Sequence, residues 1–178
     1  MGLLALLAAC STDSASTAGT SFAAYAGDPG HLYELRAPAP PGDTADTGAS
    51  DTAASDTAAP PAPSRWLRVD EASWTLTEGA TADVGATVGT WVTRREGGLF
   101  VDEIRLLPDP VLAGKAADGA TVRAIADWET RYGRFPDAAE IEIAGDGGAW
   151  AGTQVFARGV GPVFLTIDGA AWETVWYE

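Results

Sequence analysis

The chain has 178 residues, with 25 acidic against 11 basic side chains and a formal net charge of −14. That length is a prior for one domain, and so negative a surface repels nucleic-acid phosphates and anionic membrane surfaces. One cysteine excludes an intrachain disulfide and a multi-cysteine metal site.

The first element is "LLALLAACST", residues 3–12. Its apolar run is far shorter than the roughly 20 residues of a membrane-crossing helix, but it suits the apolar region of a secretory signal that ends in small residues. Leu7-Ala8-Ala9-Cys10 resembles the bacterial lipobox, which implies a diacylglycerol on the Cys10 sulfur and removal of the residues before it. A signal of this kind begins with basic residues, and Met1-Gly2 supplies none, so the expected start lies upstream. The alternative is a disordered N-terminus with an incidental cysteine. Residues 1–10 are thus a signal remnant, and the Ser/Thr-rich residues 11–27 a polar tether.

A single β domain is expected over 28–178. Asp28-Pro29-Gly30 reads as a turn and "HLYELRA", 31–37, as the first strand. Residues 38–64 then contain no aromatic, Lys, Arg, Leu, Ile or Val, and the unit S-D-T-A-A starts at Ser50 and again at Ser55. Such a segment buries too little apolar surface to offset its ordering entropy, which predicts disorder. It is either an anchor-to-domain linker or, as we favour, a loop inserted between two strands, since loop closure cost grows slowly with length.

Further strands are predicted at 65–71, 73–78, 84–96, 99–107, 121–132, 139–145, 153–159, 162–169 and 171–178. Apolar and polar residues alternate in several of them, the period of a strand with one buried face. "AEIEIA" sets Ile141 and Ile143 against Glu140 and Glu142, and "AWETVWYE" places Trp172, Thr174 and Trp176 together. Gly, Pro and Asp punctuate the gaps, and Asp168-Gly169 is the strongest tight-hairpin signal. "GATVRAIADWETRYG" is ambiguous between helix and strand, and we read it as strand. Short antiparallel strands without βαβ alternation predict an all-β sheet, sandwich or open barrel with few or no helices.

Catalytic signatures are scarce. The one histidine, His31, lies beside a turn, and no serine sits in a G-x-S-x-G setting. Gly114-Lys115 lacks the rest of a phosphate loop, and Gly145-Asp146-Gly147-Gly148 reads as a turn. Paired carboxylates at Asp70-Glu71, Asp102-Glu103 and Glu140/Glu142 are those of solvent-facing strands, and no calcium-loop spacing occurs. No enzyme activity, cofactor or metal is therefore expected. The seven tryptophans are first of all core. The functional reading is that Trp91, Trp128, Phe156, Trp172 and Trp176 line a concave face for an apolar ligand.

The run "GTQVFARGVGPVFLTIDGAAWETVWYE", 152–178, resembles the last strands of many uncharacterised bacterial envelope lipoproteins, with Phe156-Ala157-Arg158-Gly159-Val160-Gly161-Pro162-Val163 as its most specific part. "FPDAAEIEI", 135–143, looks like their preceding strand, and "EIRLLPDPVLAGKAADGATV" like their central linker. The resemblance implies a lipobox ahead of an all-β domain, a curved antiparallel sheet or half-open barrel similar in general shape to the lipoprotein carriers LolA and LolB, which hold acyl chains on the concave side. This chain lacks the helices that plug such carriers. Gly159 and Gly161 also suit a bulge or close-packed bend. The expectation is a non-catalytic protein of the bacterial envelope, on the periplasmic side or the cell surface. It would be held at the membrane by its lipid, bind an apolar ligand or an envelope protein, and have no nucleic-acid partner. The alternative is an interaction or scaffold module without a small ligand.

Overall fold

A computed structural model describes residues 19–38, 64–81, 84–101, 103–130 and 132–177. Cys10, the first part of the expected tether and most of the 38–64 segment lie outside the described residues.

The expected all-β architecture is present as one twelve-stranded antiparallel sheet, nearly closed into a barrel. Its strands are β1 Leu32–Arg36, β2 Arg65–Val69, β3 Ser73–Thr81, β4 Val84–Arg95, β5 Gly98–Val101 and β6 Ile104–Pro108. Then come β7 Ala116–Ala117, β8 Ala120–Thr130, β9 Gly133–Ile143, β10 Gly152–Ala157, β11 Gly161–Ile167 and β12 Ala170–Tyr177. Strands follow one another round the barrel in chain order, and β1 pairs with β12, Leu35 opposite Thr174, so the two ends of the domain are joined. The remaining seam lies between β6 and the two-residue β7. Arg105 crosses it, with its backbone N–H donating to the Asp118 carbonyl at 3.4 Å and its guanidinium 3.0 Å from the Asp118 carboxylate. Because β1 and β2 are neighbours, Leu32 opposite Arg68, residues 37–64 connect two adjacent strands.

Alternation decides which side chains enter the barrel. Tyr33 and Leu35, Leu67 and Val69, Trp74 and Leu76, and Ile141 and Ile143 are each spaced by two and buried, and they belong to one apolar cluster fed by eleven of the strands. A twelve-strand sheet encloses a wider interior than an eight-strand barrel, and large aromatics fill it: Trp74 and Phe156 are fully buried with ring centroids 5.9 Å apart. Full burial of each such side chain contributes about 1.5–3 kcal/mol.

Both ends of the barrel are covered. Residues 19–27, assigned from composition to the polar tether, instead pack onto one end. A 3-10 turn at Phe22–Ala24 carries Tyr25 and Ala26 into the core. Thr20 bridges Val111, Gly159 N–H donates to the Ala24 carbonyl at 2.7 Å, and Arg94 donates to the carbonyls of Ala26 and Gly27. At the other end the 3-10 segment Gly145–Trp150 inserts Trp150, also fully buried.

The structure splits the predicted strand 99–107 in two, β5 and β6, with Val101 opposite Ile104 across a tight turn. Neither of the two residues at positions 102 and 103 is Gly or Pro, and apolar residues run up to them from both sides in the sequence, which hides the break. Strand β9 starts at Gly133, six residues before the predicted start, and β7 has no sequence signal. The ambiguous segment is β8, a strand as expected.

Two irregularities shape the outside of the barrel. In the β8–β9 hairpin Ala126 opposes Ala138 but Trp128 opposes Phe135, a bulge at which Asp137 adopts φ 50°. The β10 pairing stops at Ala139, so the rest of the hairpin is an arm. It lies on a second apolar cluster of Ala138, Val155, Ala157 and Val163, with the Trp128 and Phe164 rings 5.7 Å apart. A matching bulge in β11, where Val155 opposes Phe164 and Phe156 opposes Pro162, supplies both Val163 and Phe164 to that cluster.

Candidate functional site

Of the residues expected to bind a guest, those whose side chains are described pack against the protein's own core. Phe156 is fully buried against Trp74. Trp172 is buried in the same cluster, and the Arg65 guanidinium lies 4.3 Å from its ring centroid, held in turn 3.5 Å from the Glu78 carboxylate. Trp128 belongs to the outer cluster beneath the arm. Trp91 lies in β4 and Trp176 in β12, and their side chains are outside the described residues. The structure therefore brings Phe156 and Trp172 into one core and places Trp128 elsewhere. Its register also interrupts the alternation expected for the last strand: Thr174 opposes Leu35, but Trp176 opposes Glu34, with Val175 as the extra residue.

The concave features lie on the outside. On β2, Leu67 and Val69 point inward, so Trp66 and Arg68 point outward. Sheet register then lays out two rows across the strands. Glu34, Trp66, Thr77 and Thr87 are successive cross-strand partners on β1 to β4, and Leu32, Arg68 and Thr75 form the row beside them. Trp66 stands between two depressions. One, of about 460 Å³, is open and lined by Glu34, Arg36, Trp66, Val175 and Tyr132 from the tip of the arm. The other, about 330 Å³, is deeper and more polar, lined by Trp66, Leu32, Arg68, Asp70, Thr75, Thr77 and Thr87.

Trp66 is oriented by its own backbone surroundings. Its indole N–H donates to the Gly79 carbonyl at 3.3 Å, leaving the half-buried ring as the wall between the depressions. Glu34 accepts from Arg36 at 2.8 Å and from the Ser64 hydroxyl at 3.0 Å, so the charges at that end are paired. Alternation identifies Trp66 as outward-facing from the sequence. Tyr132 lines the same groove from the tip of the arm, which carries the bulge at Asp137.

A third hollow of about 350 Å³ lies beside the Gly145–Trp150 segment, with Glu103 and Asp146 in its lining. Among the described residues, no group of three His, Cys, Asp or Glu side chains could hold a metal ion, and no helix is long and apolar enough to cross a membrane. His31 Nδ1 lies 3.3 Å from the Tyr33 hydroxyl, at the end of the barrel covered by residues 19–27. Comparisons with models of known protein families, with curated proteins and with solved structures find no match to this chain.

Proposed function

We propose that the protein is a lipid-tethered, non-catalytic module of the bacterial cell envelope that binds through the outside of a filled barrel. The observation that carries this reading is the continuous apolar interior. An acyl carrier keeps its concave face free for a chain, whereas here that face is occupied by Trp74, Phe156, Tyr33 and their neighbours and covered at its ends by Tyr25 and Trp150. Admitting an apolar ligand would mean evicting side chains whose loss from a core costs about 3–5 kcal/mol each for Phe or Trp. Of the two expectations drawn from the sequence, the filled interior favours the interaction module over the apolar-ligand carrier.

The tether rests on the lipobox resemblance at Leu7-Ala8-Ala9-Cys10. Fractionation of cells expressing the full chain tests it: the wild type is expected in the membrane fraction with acyl mass on Cys10, and Cys10→Ala in the soluble fraction. A variant that sediments like the wild type would contradict the anchor.

A further inference from the structure

The outer groove has a composition that selects one class of ligand. From Val175 on β12 to Thr87 on β4 it crosses four inter-strand spacings, about 19 Å. Trp66 stands near its middle and Tyr132 at one side, both with aromatic surface in the lining. Apart from Leu32, the rest of the deeper half is hydroxyl and charge: Thr75, Thr77, Thr87, Arg68 and Asp70.

Four occupants can be weighed against that chemistry. An acyl chain would strip water from three threonines, an arginine and an aspartate and return no hydrogen bond, an unfavourable exchange. A nucleic acid meets a chain of net charge −14. A peptide that binds by strand addition needs a free sheet edge, but the strands under this groove, β1 to β3, are paired on both sides. A sugar chain offers what the groove lacks. Its hydroxyls both donate and accept, matching threonine, arginine and aspartate. Its C–H faces are apolar and slightly positive, matching the negative face of an aromatic ring. The Glu34–Arg36 ion pair leaves no net charge at the open end, and Arg68 and Asp70 are opposite in sign at the other.

We propose that the groove centred on Trp66 binds an uncharged glycan chain, with Trp66 as the stacking platform, Tyr132 as a second aromatic contact, and Thr75, Thr77 and Thr87 as hydroxyl partners. The proposal rests on the outward-binding reading above. Trp66 is held in place before binding by its bond to Gly79, so little rotamer freedom is lost when a sugar stacks on it.

The test titrates the full chain by calorimetry with four uncharged hexasaccharides: cellohexaose, maltohexaose, mannohexaose and N-acetylchitohexaose. A galacturonic acid hexamer serves as the anionic comparison. At least one neutral sugar is expected to bind, and more tightly than the acidic one. Trp66→Ala should weaken that binding by about tenfold or more, Trp66→Phe should restore part of it, and Thr77→Val should weaken it by about three- to tenfold. Circular dichroism of each variant checks that the barrel is intact. Failure of all four sugars, preference for the acidic one, or unchanged affinity in both Trp66→Ala and Thr77→Val would overturn the proposal. Such a failure is separable from failure of the outward-binding reading, which would appear as an apolar molecule retained by the purified protein.

Discussion

The Tyr33 hydroxyl donates to the Val160 carbonyl at 2.5 Å, joining β1 to the β10–β11 turn across one end of the barrel. The backbone comes unusually close at this point. A Cβ at Gly161 would fall 2.5 Å from the Tyr33 oxygen, and one at Gly27 would fall closer still, and both glycines have positive φ, 111° and 71°. Of the two glycines the sequence marked in this turn, Gly161 is the close-packed one, while a Cβ at Gly159 would meet nothing within 4 Å.

Gly161→Ala is therefore expected to destabilise the fold by about 2 kcal/mol or more, from backbone strain and overpacking together. Tyr33→Phe removes the hydroxyl and leaves the Val160 carbonyl without that donor, a loss of about 1–3 kcal/mol. Denaturant melts of both variants, with Gly159→Ala for comparison, check the pair. A Gly161→Ala variant as stable as wild type would refute the packing described for this end.

The end covered by residues 19–27 should also respond to alkaline pH. Burial raises the Tyr25 phenol above its ordinary value of 10.0, partly offset by a hydrogen bond from Thr20 and the nearby Arg158 charge, while Asp137 adds to the rise. The neutral phenol is thus favoured in the folded state. Its contribution is complete below pH about 10 and is lost as pH climbs through the raised value. Thermal melts between pH 9 and 12 should fall more steeply for wild type than for Tyr25→Phe. Parallel curves would show that Tyr25 does not ionise from a buried position.

The arm depends on its bulge and its aromatic contact. Asp137 holds φ 50°, a conformation glycine adopts without strain. Asp137→Gly should leave stability unchanged or slightly raised, whereas Asp137→Val should cost about 1–2 kcal/mol. Trp128→Ala removes the ring packed on Phe164. Hydrogen exchange over 126–138 should then accelerate while exchange in β1 to β3 stays as in wild type. Equal acceleration throughout would mean that the arm is not a separate packing unit.

How much of this was legible in the sequence depended on what kind of signal each feature carried. Strands with one apolar face, such as β9 with Ile141 and Ile143, could be read from their period of two. The Asp168-Gly169 hairpin was legible because both residues take positive φ, 54° and 73°, as a two-residue turn between Ile167 and Ala170 requires. The β5–β6 turn was not, because Leu99 to Val101 and Leu106 to Leu107 are buried on consecutive positions and show no alternation. The outer groove was half legible. Trp66 follows from its inward neighbours, but Tyr132 comes from the tip of an arm remote in the chain, and residues 19–27 dock through backbone carbonyls whose donors, Arg94 and Gly159, are likewise remote.

The central claim is that the barrel's interior is occupied by its own side chains and holds no apolar guest. Native mass spectrometry of the full-length protein purified from membranes of its host tests this most directly. The expected spectrum carries acyl mass bound covalently through Cys10 and no stoichiometric lipid that leaves on collisional activation. A single fatty acid or lipid released one-to-one from the folded protein would contradict it.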